Sequence, residues 1–285
     1  MAAMLTADEL AARVRDLPAL PVVVTEVIRI TRDPDSSVFE LTEVLARDQA
    51  LTARVLRLAN SALFGFPRRI ATLSDAVVLL GFHSIKSLAI AGSAFGVMDR
   101  AVEGYGLERG WLWRHGIAAG AAARFLAQKW RPVLAEEGFI AGLLHDLGKT
   151  VLDSYVRSAF EEILAKVRHE GKPFHAAERE VLGFDHAEVG ALVGEAWSLP
   201  PDLVDAIKYH HAPSECPTEG RLVGLAHAGN IVALVTGYGI GADGLTAPLD
   251  GDTLAAWGFD ISRIEEAVAQ MPDALADADA LLDPG

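Results

Sequence analysis

The chain has 285 residues, 51% of them apolar, enough for one large domain or two smaller ones around a well-buried core. A formal net charge of −14 and a pI near 5.0 exclude nucleic acid and an anionic membrane surface as primary partners, since phosphate binding needs clustered Lys and Arg and Pro67-Arg68-Arg69 is only a local basic spot. Cys216 is the one cysteine, which excludes an intrachain disulfide and a thiolate metal cluster; with no run of about 18 apolar residues and no signal-peptide pattern in residues 1–9, the expectation is a soluble cytoplasmic protein.

Leu17-Pro-Ala-Leu-Pro21 reads as a stiff entry segment, followed by a helical stripe of Val24, Val27, Ile28 and Ile30 that ends at Asp33-Pro34. Ser37 and Glu40 have capping-box spacing ahead of Leu41, Val44 and Leu45, and Asp48 can cap the next helix, where Leu51, Val55 and Leu58 recur. Asn60-Ser61 and Gly65-Phe-Pro67 break the chain. Thr72 can cap a short helix through Leu80, Gly81 suits its C-terminus, and another helix runs from about Ser84 to Val97. Gly104-Tyr-Gly106 marks a boundary. Beyond it the pattern predicts a long helix from about Glu108 to Trp130, a helix carrying residues 142–149, another from about Ser158 to Glu170, two ending near Trp197 and His210, and one finished by Ile231-Val-Ala-Leu-Val235. Residues 237–244 read as a flexible loop and 252–283 as acidic, Ala-rich helical pieces. The expected fold is all-α, with an N-terminal helical part (1–104), a helical bundle (105–232) and a C-terminal extension (233–285).

Chemistry concentrates in Gly142-Leu-Leu-His145-Asp146-Leu-Gly-Lys149, which sets an imidazole beside a carboxylate in an apolar helical run. Neighbouring helical residues lie about 100° apart, so both side chains can lean toward one point and offer nitrogen and oxygen to one ion. The plainer alternative is a buried histidine bonded to a neighbour and an aspartate facing water. His115, His186, His210, His211 and His227 fall where helices of the second half can converge. Imidazoles with one carboxylate suit Fe, Mn, Co or Zn better than Mg or Ca. Each histidine alone has a plainer reading: His115 in the core, His186 at a helix start satisfied by Glu188, His210-His211 at a helix C-terminus. His83, His169 and His175 lie near helix ends in polar surroundings and read as outside the set.

Taken in order, Leu17-Pro-Ala-Leu-Pro21, Asp48-Gln-Ala-Leu-Thr52, Leu58-Ala-Asn60-Ser61, Ala76-Val-Val-Leu-Leu80-Gly81, the run 142–148, and Trp197-Ser-Leu-Pro200 before His210-His211 resemble the HDOD domain over about residues 13 to 230. That domain is a bacterial signalling module within the HD superfamily of metal-dependent phosphohydrolases. The resemblance implies an N-terminal helical subdomain packed on an HD-type helical bundle. It also implies a role in signal transduction, usually without demonstrated catalysis, through a signalling protein partner or a small phosphorylated ligand. It assigns metal-ligand positions to His115, His145, His186, His210 and His211, with Asp146 as the bridging carboxylate of a mono- or dinuclear site for Fe, Mn, Co or Zn. Lys149 matches a lysine that meets a substrate phosphate and would act with Asp146 in catalysis; its plainer reading is a solvated lysine at a helix end.

Two departures bear on activity. His227, in Leu225-Ala226-His227, stands where HD hydrolases have an aspartate, and as a neutral ligand it would neutralise less charge. After His211 the chain reads Ala212-Pro-Ser-Glu-Cys-Pro217 rather than the acidic residue and Asp-Gly-x-Gly-Tyr-Pro run of HD-GYP cyclic di-GMP hydrolases. Nucleotide-loop readings fall too: five residues separate Gly142 from Gly148 where a P-loop needs four, and no helix follows Gly239–Gly244. Three functions remain open at this level: a regulatory protein that works by binding and retains a metal, a metal-dependent phosphohydrolase acting on a nucleotide or other phosphoester, and a helical domain without metal.

Overall fold

The structure, a computed structural model, describes residues 6–64, 66, 68–218, 220–242, 244, 247–260 and 262–275. Helix α1 (Ala7–Asp16) opens on a capping box, Thr6 accepting from the Glu9 N–H while the Glu9 side chain accepts from the Thr6 N–H. Helices α2 (Val22–Ile30), α3 (Val38–Ala46) and α4 (Gln49–Ala59) bury the predicted stripes, and Ser37 and Asp48 cap α3 and α4. Asn60 closes the loop that follows: its Nδ2 donates to Leu56 O and Ile70 O, and its Oδ1 accepts from the Ile70 N–H. Thr72 then caps α5 (Leu73–Met98), which breaks at Gly81 (φ 80°, ψ 168°), a conformation open to glycine and strained for other residues.

Val102 and Leu107 pair across a tight turn into α6 (Trp111–Trp130). Small residues of α6, among them Ala119 and Gly120, let α7 (Ala135–Leu144) pack close against it. The chain continues through α8 (Lys149–Glu170), α9 (Phe174–Leu182), α10 (His186–Ala196), α11 (Pro201–Tyr209) and α12 (Arg221–Val235) to α13 (Gly251–Ala256) and α14 (Ser262–Ala274). No strand occurs among the described residues, and the fold is all-α as expected. One continuous apolar core runs from Leu10 to Leu275, with α6 at its centre between α7, α12 and α14.

Several elements differ from the sequence expectation. Helix α8 begins at Lys149 rather than near Ser158, because Val151, Leu152 and Val156 are buried and nothing after Gly148 breaks the chain. Helices α1 and α9 were not anticipated; both are short, and charged residues dilute their apolar stripes. The loop after α12 is tied down, Ala242 N–H donating to Tyr105 O. Of the C-terminal pieces, residues 276–283 lie outside the described residues. By length and composition alone α5 could cross a membrane, yet more than half of its apolar stretch is buried in the core and Gly81 interrupts it.

Candidate metal centre

The His145-Asp146 pair lies in an elbow between two helices rather than inside one. Helix α7 ends at Leu144, and the backbone stays near α-helical values through His145 and Gly148 while its hydrogen bonds tighten to i+3, as in Lys149 N–H to Asp146 O. Gly148 makes the elbow feasible: a Cβ there would collide with His186 O and stand 2.5 Å from Gly190 N, so only glycine lets α10 approach this closely. His186 is the first residue of α10, whose N-terminus is fixed by the reciprocal Asp185–Glu188 capping box, with Arg179 pairing to Asp185 at 2.6 Å. His210 and His211 directly follow α11, and His115 lies in the second turn of α6.

One device aims two of these rings. His145 Nδ1–H donates to Gly142 O (2.6 Å) and His210 Nδ1–H to Ile207 O (2.7 Å), each satisfying a helix-end carbonyl three residues back. Each ring thereby turns its Nε2 toward Asp146: His145 Nε2 is 3.3 Å from Oδ2 and His210 Nε2 is 3.8 Å from Oδ1. His115 Nδ1–H donates to Tyr238 O (2.8 Å), leaving its Nε2 3.5 Å from Asp146 Oδ2, and His186 Nε2 lies 3.4 Å from Oδ1. These residues and Lys149 are at most 3% exposed. Among the described residues, His145 Nε2, His210 Nε2 and Asp146 Oδ1 are buried atoms without a hydrogen-bond partner. Unpartnered ring nitrogens and a carboxylate oxygen converging in a dry interior form a set that a cation would satisfy.

The ligand atoms form two sets, each within 4.8 Å: His115, His145 and Asp146, and His186, His210 and His211. Asp146 joins them, turning Oδ2 to the first and Oδ1 to the second. His186 Nε2 and His211 Nε2 are 2.8 Å apart. That is a hydrogen-bond distance, and the two rings would part by about half an ångström to share one tetrahedral ion, whose ~2.1 Å bonds set nitrogens ~3.4 Å apart. The donor set fits a divalent transition metal.

Protonation favours the same use. Burial, helped by the charges of His145 and Lys149 and opposed by Asp146, lowers His115 to about 4. Burial and the neighbouring imidazoles hold His210 and His211 well below the usual histidine range. Burial alone would raise the Asp146 carboxyl, but His145 and Lys149 outweigh it and keep it ionised. His186 is the exception: Glu178 overrides its burial and lifts it to about 9.

His227 is not brought into either set. Its Nδ1–H donates to His210 O (2.6 Å) and its Nε2 accepts from the Asp250 N–H (2.9 Å), so both nitrogens are engaged in tying α11 and α13 to α12. One turn further along α12, Asn230 places its Oδ1 3.1 Å from His115 Nε2. Lys149 is buried against Asp146 Oδ2 at 2.6 Å, which overturns the solvated reading. Three residues were missed: Glu178, buried behind His186; Tyr105, which bonds Glu178; and His175, whose ring stacks on His211 at 4.3 Å.

Comparison with known proteins agrees with the all-α fold. The sequence profile of the HDOD domain matches residues 17–213. An uncharacterised protein of Treponema pallidum (strain Nichols) is 30% identical over 218 residues, which are 75% of this chain but only 41% of that relative. Among solved structures, an HDOD domain protein of unknown function from Geobacter sulfurreducens superposes with a TM-score of 0.77 at 25% identity, covering 97% of this chain and 99% of the other. A Shewanella amazonensis SB2B protein proposed to be a phosphohydrolase gives 0.73 at 28% identity, covering 96% and 98%.

Proposed function

The chain belongs to the HDOD family, and from that premise we propose that it is a cytoplasmic signal-transduction protein whose His/Asp centre binds divalent Fe, Mn, Co or Zn and which acts by binding a protein partner or small phosphorylated ligand. The observation that carries the metal is the convergence of the unpartnered and fully buried His145 Nε2, His210 Nε2 and Asp146 Oδ1. His115, His145 and Asp146 would hold one ion and His186, His210 and His211 a second, with Asp146 shared. What favours regulation over turnover is the covering of the centre: Lys149 is bonded to Asp146, and the Tyr105 ring lies over Lys149 at 5.5 Å and edge-on to His186 at 6.0 Å.

A phosphohydrolase is the second reading, favoured by the 28% identical Shewanella protein and by a lysine beside the shared carboxylate. A bound metal would there polarise a phosphoryl oxygen and activate water. Lys149 would release Asp146 to meet the phosphate, and Tyr105 would have to move aside.

Metal analysis of protein purified without chelator tests the centre. Bound metal that falls in His145→Ala and Asp146→Ala is expected; a metal-free protein that resists reconstitution would overturn both readings. Turnover of any phosphoester in a broad panel, abolished in Asp146→Ala, would replace the regulatory reading with the hydrolytic one.

A further inference from the structure

The first ligand set contains a carboxylate, whereas the second is three imidazoles, two of which, His186 and His210, face the far oxygen of Asp146. A second anion stands directly behind them. Glu178, on α9, is fully buried, and its Oε2 accepts from His186 Nδ1–H at 2.6 Å and from the His186 backbone N–H at 3.4 Å. Its other oxygen, Oε1, accepts from the Tyr105 hydroxyl, so both carboxylate oxygens are occupied and the side chain is held at both ends. This fixes the orientation of the His186 ring and turns its Nε2 toward His211 Nε2 and Asp146. A carboxylate behind a ligating imidazole makes the ring a better donor and offsets part of the charge of the ion it holds.

Tyr105 comes from the turn between α5 and α6, far from Glu178 in the chain. That turn is itself anchored: Gly104 N–H donates to Asp153 Oδ1 at 2.7 Å, and Tyr105 O accepts from the Ala242 N–H at 2.9 Å. The Tyr105 hydroxyl thus links the connector that leads from the N-terminal helices into the bundle to the back of a candidate metal ligand.

We propose that Glu178 and Tyr105 are positioning residues for the second metal position, through His186, and that the α5–α6 connector thereby governs occupancy of that position but not of the first. The inference rests on the metal reading above and adds to it a control point at the junction of the two helical parts.

Titration of the full-length, metal-stripped protein with Co2+, followed by calorimetry and elemental analysis, tests it. Wild type is expected to take up two ions per chain. Glu178→Gln keeps an acceptor for Nδ1–H but removes the charge, and weakening of one ion by about 10- to 100-fold is expected with the other unchanged. Tyr105→Phe keeps the ring over Lys149 and loses only the hydroxyl; a smaller weakening of the same ion is expected. If Glu178→Gln shows no cooperative thermal transition, Tyr105→Phe decides. Wild-type affinity for both ions in these variants, or equal weakening of both ions, would overturn the positioning role while leaving the metal reading intact. Failure of wild type to bind Co2+ would overturn the metal reading itself.

Discussion

Lys149 Nζ lies 2.6 Å from Asp146 Oδ2, three residues along one elbow, so the carboxylate on which the imidazoles converge already carries an internal cation. The pair is almost wholly buried, and removing one member of such a pair leaves an uncompensated charge. Lys149→Met should therefore lower the stability of metal-stripped protein by about 3–5 kcal/mol. A divalent ion can take over the charge of Asp146, so added Mn2+ should restore most of the loss. Thermal melts with and without Mn2+ check this; an unchanged melting temperature in the stripped variant would show that the pair is not energetically coupled.

The exchange of roles between His227 and Asn230 gives a second expectation. Because both nitrogens of His227 are bonded to backbone groups, His227→Gln should lower stability by about 1–3 kcal/mol, the cost of leaving buried partners unsatisfied, with metal stoichiometry retained. Asn230→Asp would place a carboxylate beside His115 Nε2 and should tighten the first ion by about tenfold, or 1.4 kcal/mol. Metal loss in the first variant together with no gain in the second would restore His227 as the ligand.

Gly148→Ala should be among the most damaging single methyl additions in the chain. The new Cβ would meet His186 O and Gly190 N, which are backbone atoms that cannot rotate away. The elbow and α10 would have to separate, carrying His186 from Asp146. A loss of about 3 kcal/mol or more is expected by denaturant titration, with reduced metal content in whatever remains folded. A variant with wild-type stability and metal content would mean that α10 is not clamped against the elbow.

Parts of the centre were legible in the sequence for a physical reason. His145 and Asp146 stand out because a polar pair inside an apolar run needs partners, and the caps at Ser37, Asp48 and Thr72 announce themselves by spacing. Glu178 gave no such sign. In Ala176-Ala-Glu178-Arg-Glu180 it sits beside other charged residues in a stretch where no helix was expected, and it bonds Tyr105, 73 residues earlier, which the pattern marks only as a boundary. His175 was set aside by the same polar surroundings, although Phe174, Ala177 and Val181 have the helical spacing that buries one face of α9. His227 looked like a ligand because sequence order aligns residues and not ring nitrogens; only the Asp250 N–H, brought back by the chain after α12, shows that its second nitrogen is taken.

The exposed face of α9 supplies a pH-dependent test. Glu180 is bonded by Lys166 at 2.7 Å and by Lys172, and those two bonds hold its carboxyl down at about 2, against 4.5 for the free group. A depressed acid pKa contributes stability that is fully present above 4.5 and is lost as pH falls from there through about 2. The group is solvent-exposed, so the contribution is small and screened by salt. The difference in melting temperature between wild type and Glu180→Gln should be constant from about pH 6 to 8, shrink as pH falls below about 4.5, and narrow in about 1 M salt, where the Debye length is about 3 Å. A difference that survives unchanged at both low pH and high salt would show that Glu180 supports the α8–α9 junction, and with it the placement of Glu178, by packing rather than by charge.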